Sequence, residues 1–209
     1  MSVNIQFANI FYNYQKTYNP KATIEIGAHH AEFSLQMKNY FDIKNIWAIE
    51  ANPIVYKKFK KLCSGINYVN LTISDKNGYT KLNLVDEPDN PQYWHTLTSS
   101  ILNRIDDLKT NGIKVQTLTL DTFVKDNNIS GPISLWIDVE GANKEVLLGS
   151  TETLKNVTSI YIEVETSAIW DKQWMKKDVV IFLENNGFVL AKESGFTGSQ
   201  QQDLIFIRS

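Results

Sequence analysis

At 209 residues the chain exceeds a typical domain of about 150 residues only modestly. One domain with embellishments is therefore expected rather than two, and its core needs no disulfide or metal staple. Lys+Arg 21 against Asp+Glu 23 leaves a net charge of −2, which excludes a nucleic-acid binder that works through bulk positive charge. Cys63 is the only cysteine, so an intramolecular disulfide and a cysteine-based zinc site are excluded as well. No stretch approaches about 18 consecutive apolar residues, and Met1–Ile10 lacks a basic segment followed by an apolar core. The expected location is the cytoplasm, with no membrane or nucleic-acid partner.

In chain order, residues 1–21 read as a helical extension before the core. Ala22–Ile26 is short, apolar and β-compatible and runs into Gly27. Ala31–Phe41 carries Phe33, Met37 and Tyr40/Phe41 at helical spacing. Ile46–Ile49 is a second apolar run ending at Glu50. Asn52-Pro53 reads as an N-cap with proline at the first helical position. The helix behind it should turn Ile54, Val55, Phe59 and Leu62 inward and end near Gly65, with Cys63 a buried apolar residue at its end. Asn67–Ile73 is a third strand candidate, closing on Ser74-Asp75.

This β-α-β-α-β alternation predicts a parallel sheet with helices on both faces. The rhythm then breaks. Asn77-Gly78 is a hairpin-type turn, Tyr79–Val85 alternates like a strand, and Asp86–Thr98, with Pro88 and Pro91, reads as a surface loop. Val115–Leu120 is extended, and Asp121 is a candidate cap for a short helix. Ile133–Ile137 resumes as an apolar strand ending at Asp138. A helix over about Ala142–Leu154, a strand Ser159–Val164, a helix Lys176–Asn185 and a pair Phe188–Lys192 and Leu204–Arg208 complete the chain.

Ligands of open α/β sheets sit beyond the carboxyl ends of the strands. The first such place is Glu25-Ile26-Gly27-Ala28-His29-His30. Gly27 either turns a strand into a helix or lets a ligand approach the backbone. Glu50, roughly 20 positions further on at the tip of the second strand, suits two vicinal ribose hydroxyls because a carboxylate offers two acceptor oxygens. A dinucleotide would need glycines where this chain has His29 and Glu32, and bulk and negative charge there oppose a pyrophosphate. The pattern favours S-adenosylmethionine (SAM), which carries no phosphate.

The stretch Ile137-Asp138-Val139-Glu140-Gly141, taken with Glu50-Ala51-Asn52-Pro53, Tyr161–Glu165, Ser99-Ser100 and Thr119-Leu120-Asp121, resembles the FkbM family of SAM-dependent methyltransferases. The resemblance spans about residues 22–207. It implies a Rossmann-like class I methyltransferase fold, a seven-stranded sheet with its last strand antiparallel. It also implies methyl transfer from SAM, with S-adenosylhomocysteine (SAH) as product, to a hydroxyl of a sugar, glycan or small metabolite. Carried over, Glu25, Gly27, Ala28, His29, Glu50, Ala51, Asp75 and Asp138 would surround the cofactor. Gly27 and Ala28 would line methionine and ribose, Glu50 would hold the ribose, Asp75 would face the adenine amine, and Asp138 would lie near the amino group or the acceptor. Two positions depart from the family: Glu25 stands where aspartate is usual, and Ala31 where glycine is usual.

Candidate bases for the acceptor hydroxyl are His30, His95, Asp138, Glu140 and Glu163, with Asp138, Glu163 and His30 retained as the catalytic set. Asp138 and Glu163 should approach one another. Such a pair also suits Mg²⁺, although a metal-free site is expected. Lys57, Lys58, Lys60 and Lys61 read as a solvated helix face. Trp170 and Trp174, at helical spacing, could form an acceptor lid with Trp94 or simply pack. The alternative to an enzyme is a non-catalytic SAM- or nucleotide-binding module that kept the fold.

Overall fold

The computed structural model describes residues 5–85, 98–195 and 200–209. Helix α1 (Ile5–Tyr18) leads into β1 (Ala22–Ile26), α2 (Glu32–Tyr40), β2 (Asn45–Glu50), α3 (Pro53–Phe59) and β3 (Asn67–Asn70). There follow β4 (Thr72–Ile73), β5 (Gly78–Val85), β6 (Thr110–Leu118), α4 (Leu120–Asp126) and β7 (Ile133–Ile137). The chain closes with α5 (Asn143–Leu148), α6 (Thr151–Leu154), β8 (Val157–Glu165), α7 (Lys176–Asn185), β9 (Phe188–Glu193) and β10 (Gln201–Arg208).

Seven strands form one sheet in the order β3-β2-β1-β7-β8-β10-β9. Its left half is parallel through β8, and β10 runs antiparallel between β8 and β9. The sequence alternation and the antiparallel last strand are thus both realised. Chain order reverses between β1 and β7, which places the ligand crevice of such sheets at their carboxyl ends. A second sheet, β4-β6-β5, fills the long excursion between β3 and β7.

Strand periodicity explains the two faces of the main sheet, because successive side chains point to opposite sides. Ile24 and Ile26, Leu135 and Ile137, Ile160 and Ile162, Leu204 and Phe206 share one buried cluster with Leu120, Phe123, Val146 and Leu183 from the helices. Their neighbours Trp136, Tyr161 and Ile205 pack on the other face with Phe7, Phe11, Phe33 and Met37 from α1 and α2. Trp136 and Tyr161 stack nearly parallel at 3.6 Å between ring centroids. Continuing this second series gives Asp138 just past the end of β7 and Glu163 near the end of β8, so alternation aims both acids to the same side.

Several local expectations are corrected. The third strand candidate is two strands in two sheets: after Leu71 the chain leaves β2 and pairs Thr72–Ile73 with β6. β6 starts at Thr110, earlier than its apolar pattern signalled, because its first half is a hairpin strand with exposed alternation, and Leu120 already belongs to α4. α3 ends at Phe59, short of Gly65, so Cys63 sits buried in the following turn. Its Asn52 cap and Pro53 are as expected, with Asn52 Oδ1 accepting from the Ile54 N–H at 2.9 Å. Val55 is buried, but Ile54 and Leu62 are 60% and 70% exposed: Ile54 is about a quarter turn round the helix from Val55, and Leu62 lies in the turn after α3 has ended. Tyr40 is likewise exposed.

Thr119, not Asp121, caps α4. Asp121 instead accepts from the Glu152 and Thr153 N–H groups and so caps α6, a partner sequence spacing does not reveal. The expected helix over Ala142–Leu154 is two, broken at Gly149, where a β-carbon would strike the Ser74 carbonyl. Trp170 and Trp174 lie in the segment between β8 and α7, not on a helix. Trp94, His95, Pro88 and Pro91 lie outside the described residues.

Candidate active site

A cleft opens over the carboxyl ends of β1, β2 and β7. Gly27, His29, Glu50, Ala51, Asp138 and Glu140 line it, with Thr72, Leu82 and the Ser99–Ile101 segment as the opposite wall.

Glu50 is held at the head of the cleft by two backbone amides. Oε2 accepts from the His29 N–H at 2.7 Å and Oε1 from the Asn52 N–H at 2.6 Å. Each oxygen keeps a further lone pair for a ligand hydroxyl. Burial pushes the Glu50 carboxyl up to about 7, against the two amides that favour its charge.

The first loop is built by three left-handed residues, Gly27, His29 and Ala31. At Gly27 (φ 80) a β-carbon would overlap the main-chain carbonyl of Asp138. The glycine is therefore required by the protein's own backbone, where the ends of β1 and β7 close on each other, as well as by its place in the cleft wall. Ala31 occupies the N-cap of α2 and has no side-chain acceptor to offer. Glu25, buried in β1, supplies one: Oε2 accepts from the Ser34 N–H at 2.9 Å. Burial raises Glu25 to about 8. Glu25 thus lies beneath the helix start and outside the cleft lining. Ala28 also lies behind the lining, packed on Ala31, Ala48 and Cys63.

The two histidines differ. His29 lines the cleft, its ring 5.2 Å from Phe59, and Tyr68 Oη donates to its carbonyl. Burial holds its ring well below the usual range, at about 4, with His30 and Lys58 adding to the effect. His30 points to solvent, its Nδ1 2.9 Å from that of His29 and its Nε2 3.4 Å from Glu32. His30 and the other two catalytic candidates are not brought together. Asp75 is exposed, bonded to Ser74 Oγ, and outside the lining; Leu71, Thr72 and Ile73 occupy the wall nearest to it in sequence.

Asp138, Glu140 and Glu163 converge, with oxygen atoms all within 4.8 Å of one another, a spacing that suits either shared protons or a metal ion. Glu163 is absent from the lining and stands behind Asp138. Glu165 and Asp203 complete an acidic group: Asp203 pairs directly across from Glu163 in the register of β10 on β8. Burial raises all five carboxyls, and the carboxylates of the group reinforce one another; Glu163 is pushed furthest and Asp138 least of the three. Gln201 Nε2 donates to Glu140 at 3.3 Å, and the Asn143 amide donates to the Glu163 carbonyl.

Glu140 has φ 48 and Gly141 φ 82, a paired left-handed turn. Trp170 lies against Gly141 where a side chain would be, and Ser100 Oγ donates to the Glu140 carbonyl at 2.6 Å. Arg104 covers the other side of Trp170, 4.9 Å from its ring. Trp170 is thus a buried packing residue that pins this turn. Asp203, Gln201 and Thr72 were not legible as site residues, because only cross-strand register and the split of the third strand bring them here.

The strand order with its reversed last strand, a glycine loop after β1, a carboxylate at the tip of β2 and a cleft at the switch point define a Rossmann-like SAM-dependent methyltransferase. Residues 25–190 match the model of the methyltransferase FkbM domain, and the chain belongs to that family. Among solved structures, the methyltransferase domain of bacterial CtHen1 superposes with a TM-score of 0.52 at 12% identity, over 99% of this chain and 100% of that one. Magnesium protoporphyrin IX methyltransferase of Synechocystis PCC 6803 with bound SAM gives 0.50 at 9% identity, over 90% of this chain and 70% of that one. Sp1610 of Streptococcus pneumoniae gives 0.46 at 13% identity, and although 90% of this chain is aligned, it spans only 63% of that protein. These likenesses concern the fold. No curated protein sequence matches the chain.

Proposed function

We propose that the chain transfers the methyl group of SAM to a hydroxyl of a sugar, glycan or small metabolite, with Asp138 as the base. The cofactor supplies an electrophilic methyl on a cationic sulfonium. The donor set fits it. Glu50 offers two fixed carboxylate oxygens to the ribose hydroxyls, and Asp138 and Glu140 offer acceptor oxygens to its amino group. Gly27, His29 and Ala51 complete the wall.

The observation that carries the reading is the convergence of Asp138 with Glu163. Two carboxyls so close do not both ionise near neutral pH, and Glu163, outside the cleft lining, is the one placed to keep the shared proton. Glu163 therefore stays protonated and positions Asp138, which is ionised, lines the cleft and is the group able to take the hydroxyl proton. The reading places no step on His30 and needs no metal.

Turnover against a panel of hydroxylated acceptors tests it. Asp138→Asn should lower kcat by roughly 10²–10⁴ with SAM saturating. Glu163→Gln, which keeps a neutral hydrogen-bond donor, should retain most of it. Wild-type kcat in Asp138→Asn sinks the assignment. Turnover lost with EDTA and restored by Mg²⁺ would instead make Asp138, Glu140 and Glu163 metal ligands.

A further inference from the structure

The molecule is electrically polarised across its cleft. All five clustered carboxyls stand on the β7, β8 and β10 half of the sheet. On the β2 and β3 half, α3 and the turn after it carry Lys57, Lys58, Lys60 and Lys61, all exposed. None of these four is in an ion pair among the described residues. In a chain of net charge −2, four uncompensated lysines within five positions are a local excess that the composition does not require.

The lysines are arranged, not scattered. Ile54, Lys57 and Lys58 recur at i, i+3 and i+4 on one exposed face of α3, and Lys61 and Leu62 extend that exposed surface in the turn after it. Val55, buried, and Phe59 make the opposite, inward face. The stripe also reaches the site. Lys58 Nζ lies 5.1 Å from the Phe59 ring, and that ring lies 5.2 Å from the ring of His29, a wall residue of the cleft. The charge of Lys58 is felt at His29, where it helps burial to keep the imidazole neutral.

We propose that this stripe binds the anionic part of the acceptor, a sugar bearing sulfate, phosphate or uronate, while the acceptor's hydroxyl enters the cleft past His29. The inference rests on the methyl-transfer reading above and names the acceptor's class. Charge separation gives the acceptor one orientation. Its anion is attracted to the lysines on and after α3 and repelled by the ionised Asp138, so an uncharged hydroxyl is presented to the acids. The exposed faces of Ile54 and Leu62 flank the lysines and suit the apolar C–H face of a sugar ring.

The test uses the full chain with a sulfated glucan oligosaccharide and its unsulfated parent as probes, read by calorimetry with SAH present. The sulfated probe should bind more tightly, and its affinity should fall as salt rises. Lys57→Glu combined with Lys58→Glu and Lys61→Glu should weaken it about tenfold or more while leaving SAH affinity and melting temperature unchanged. Equal binding of the two probes, or no effect of the triple variant, overturns the proposal. So does tighter binding to phosphatidylserine vesicles than to the sulfated probe, which would make the stripe a lipid contact. Failure of the wild type to bind SAH counts against the methyl-transfer reading instead, and the salt and lysine arms, repeated without SAH, still decide the surface.

Discussion

Glu50 shows how much one residue is asked to do. Its two oxygens satisfy the His29 and Asn52 amides and also face the cleft. Truncation to alanine would therefore leave two amides without acceptors, at about 1–3 kcal/mol each, and would confuse binding with folding. Glu50→Gln is the cleaner probe, since it keeps one acceptor oxygen and removes the charge. SAH affinity should fall by about 2–3 kcal/mol. The wild-type carboxyl, raised to about 7 by burial, must ionise to accept two hydroxyls. Wild-type SAH binding should therefore weaken as pH falls through 7, and that dependence should be smaller in Glu50→Gln. Calorimetry across pH checks both, and a wild-type affinity flat from pH 8 to pH 6 would remove Glu50 from the ribose site. Ala31 is a second residue whose burden is visible: a left-handed N-cap with no side-chain acceptor explains why Glu25 is used for capping.

At the level of elements, the loops that end β1 and β7 depend on each other. Gly27 combines φ 80 with a carbonyl of Asp138 where a β-carbon would stand. Left-handed geometry alone costs an alanine about 1–2 kcal/mol, and a backbone overlap adds to it because main chain cannot swing aside. Gly27→Ala should lower the unfolding free energy of the cofactor-free protein by more than about 2 kcal/mol in urea titration. A loss under about 1 kcal/mol would mean that the Asp138 carbonyl yields, and that the glycine serves ligand approach alone. Asp121 teaches the same interdependence: a residue in the first turn of α4 holds the start of α6. Trp170 does so at Gly141, where it packs against the turn instead of forming a lid.

Across the whole molecule, burying many acids in one cleft couples stability to pH. Glu25 and Glu50 are raised by burial from 4.5 to about 8 and about 7, and Asp138, Glu140, Glu163, Glu165 and Asp203 shift the same way. The folded state thus holds protons that the unfolded state has already released. This contribution is fully present below the unfolded value and is lost as pH rises through 7 and 8. His29, lowered to about 4 by burial, opposes it, but its contribution is lost only as pH falls below 6.5. The melting temperature of the cofactor-free protein should therefore decrease from about pH 6.5 to about pH 8.5. Scanning calorimetry is the check; a rising curve over that interval would mean the acids are solvated. The described residues contain no helix long and apolar enough to cross a membrane.

The sequence by itself determined the α/β class, the alternation through β3, the strand-end positions of Gly27, Glu50 and Asp138, and the family. These follow from local properties: apolar runs of strand length, a proline and a cap, a glycine where the chain must turn. Period two even aimed Asp138 and Glu163 to one face. Only the tertiary structure decided what depends on register and on distant packing. Asp203 joins the acids because β10 inserts antiparallel beside β8 with that residue opposite Glu163. Asp75 stays outside because the chain leaves the main sheet at Leu71 to pair with β6, which no nearby residue announces. Ile54 is apolar and exposed because α3 has a single buried side, already occupied by Val55 and Phe59, and Leu62 is exposed in the turn that follows the helix. Hydrophobicity sets which residues seek burial, but the number of faces available to receive them is a property of the assembled fold.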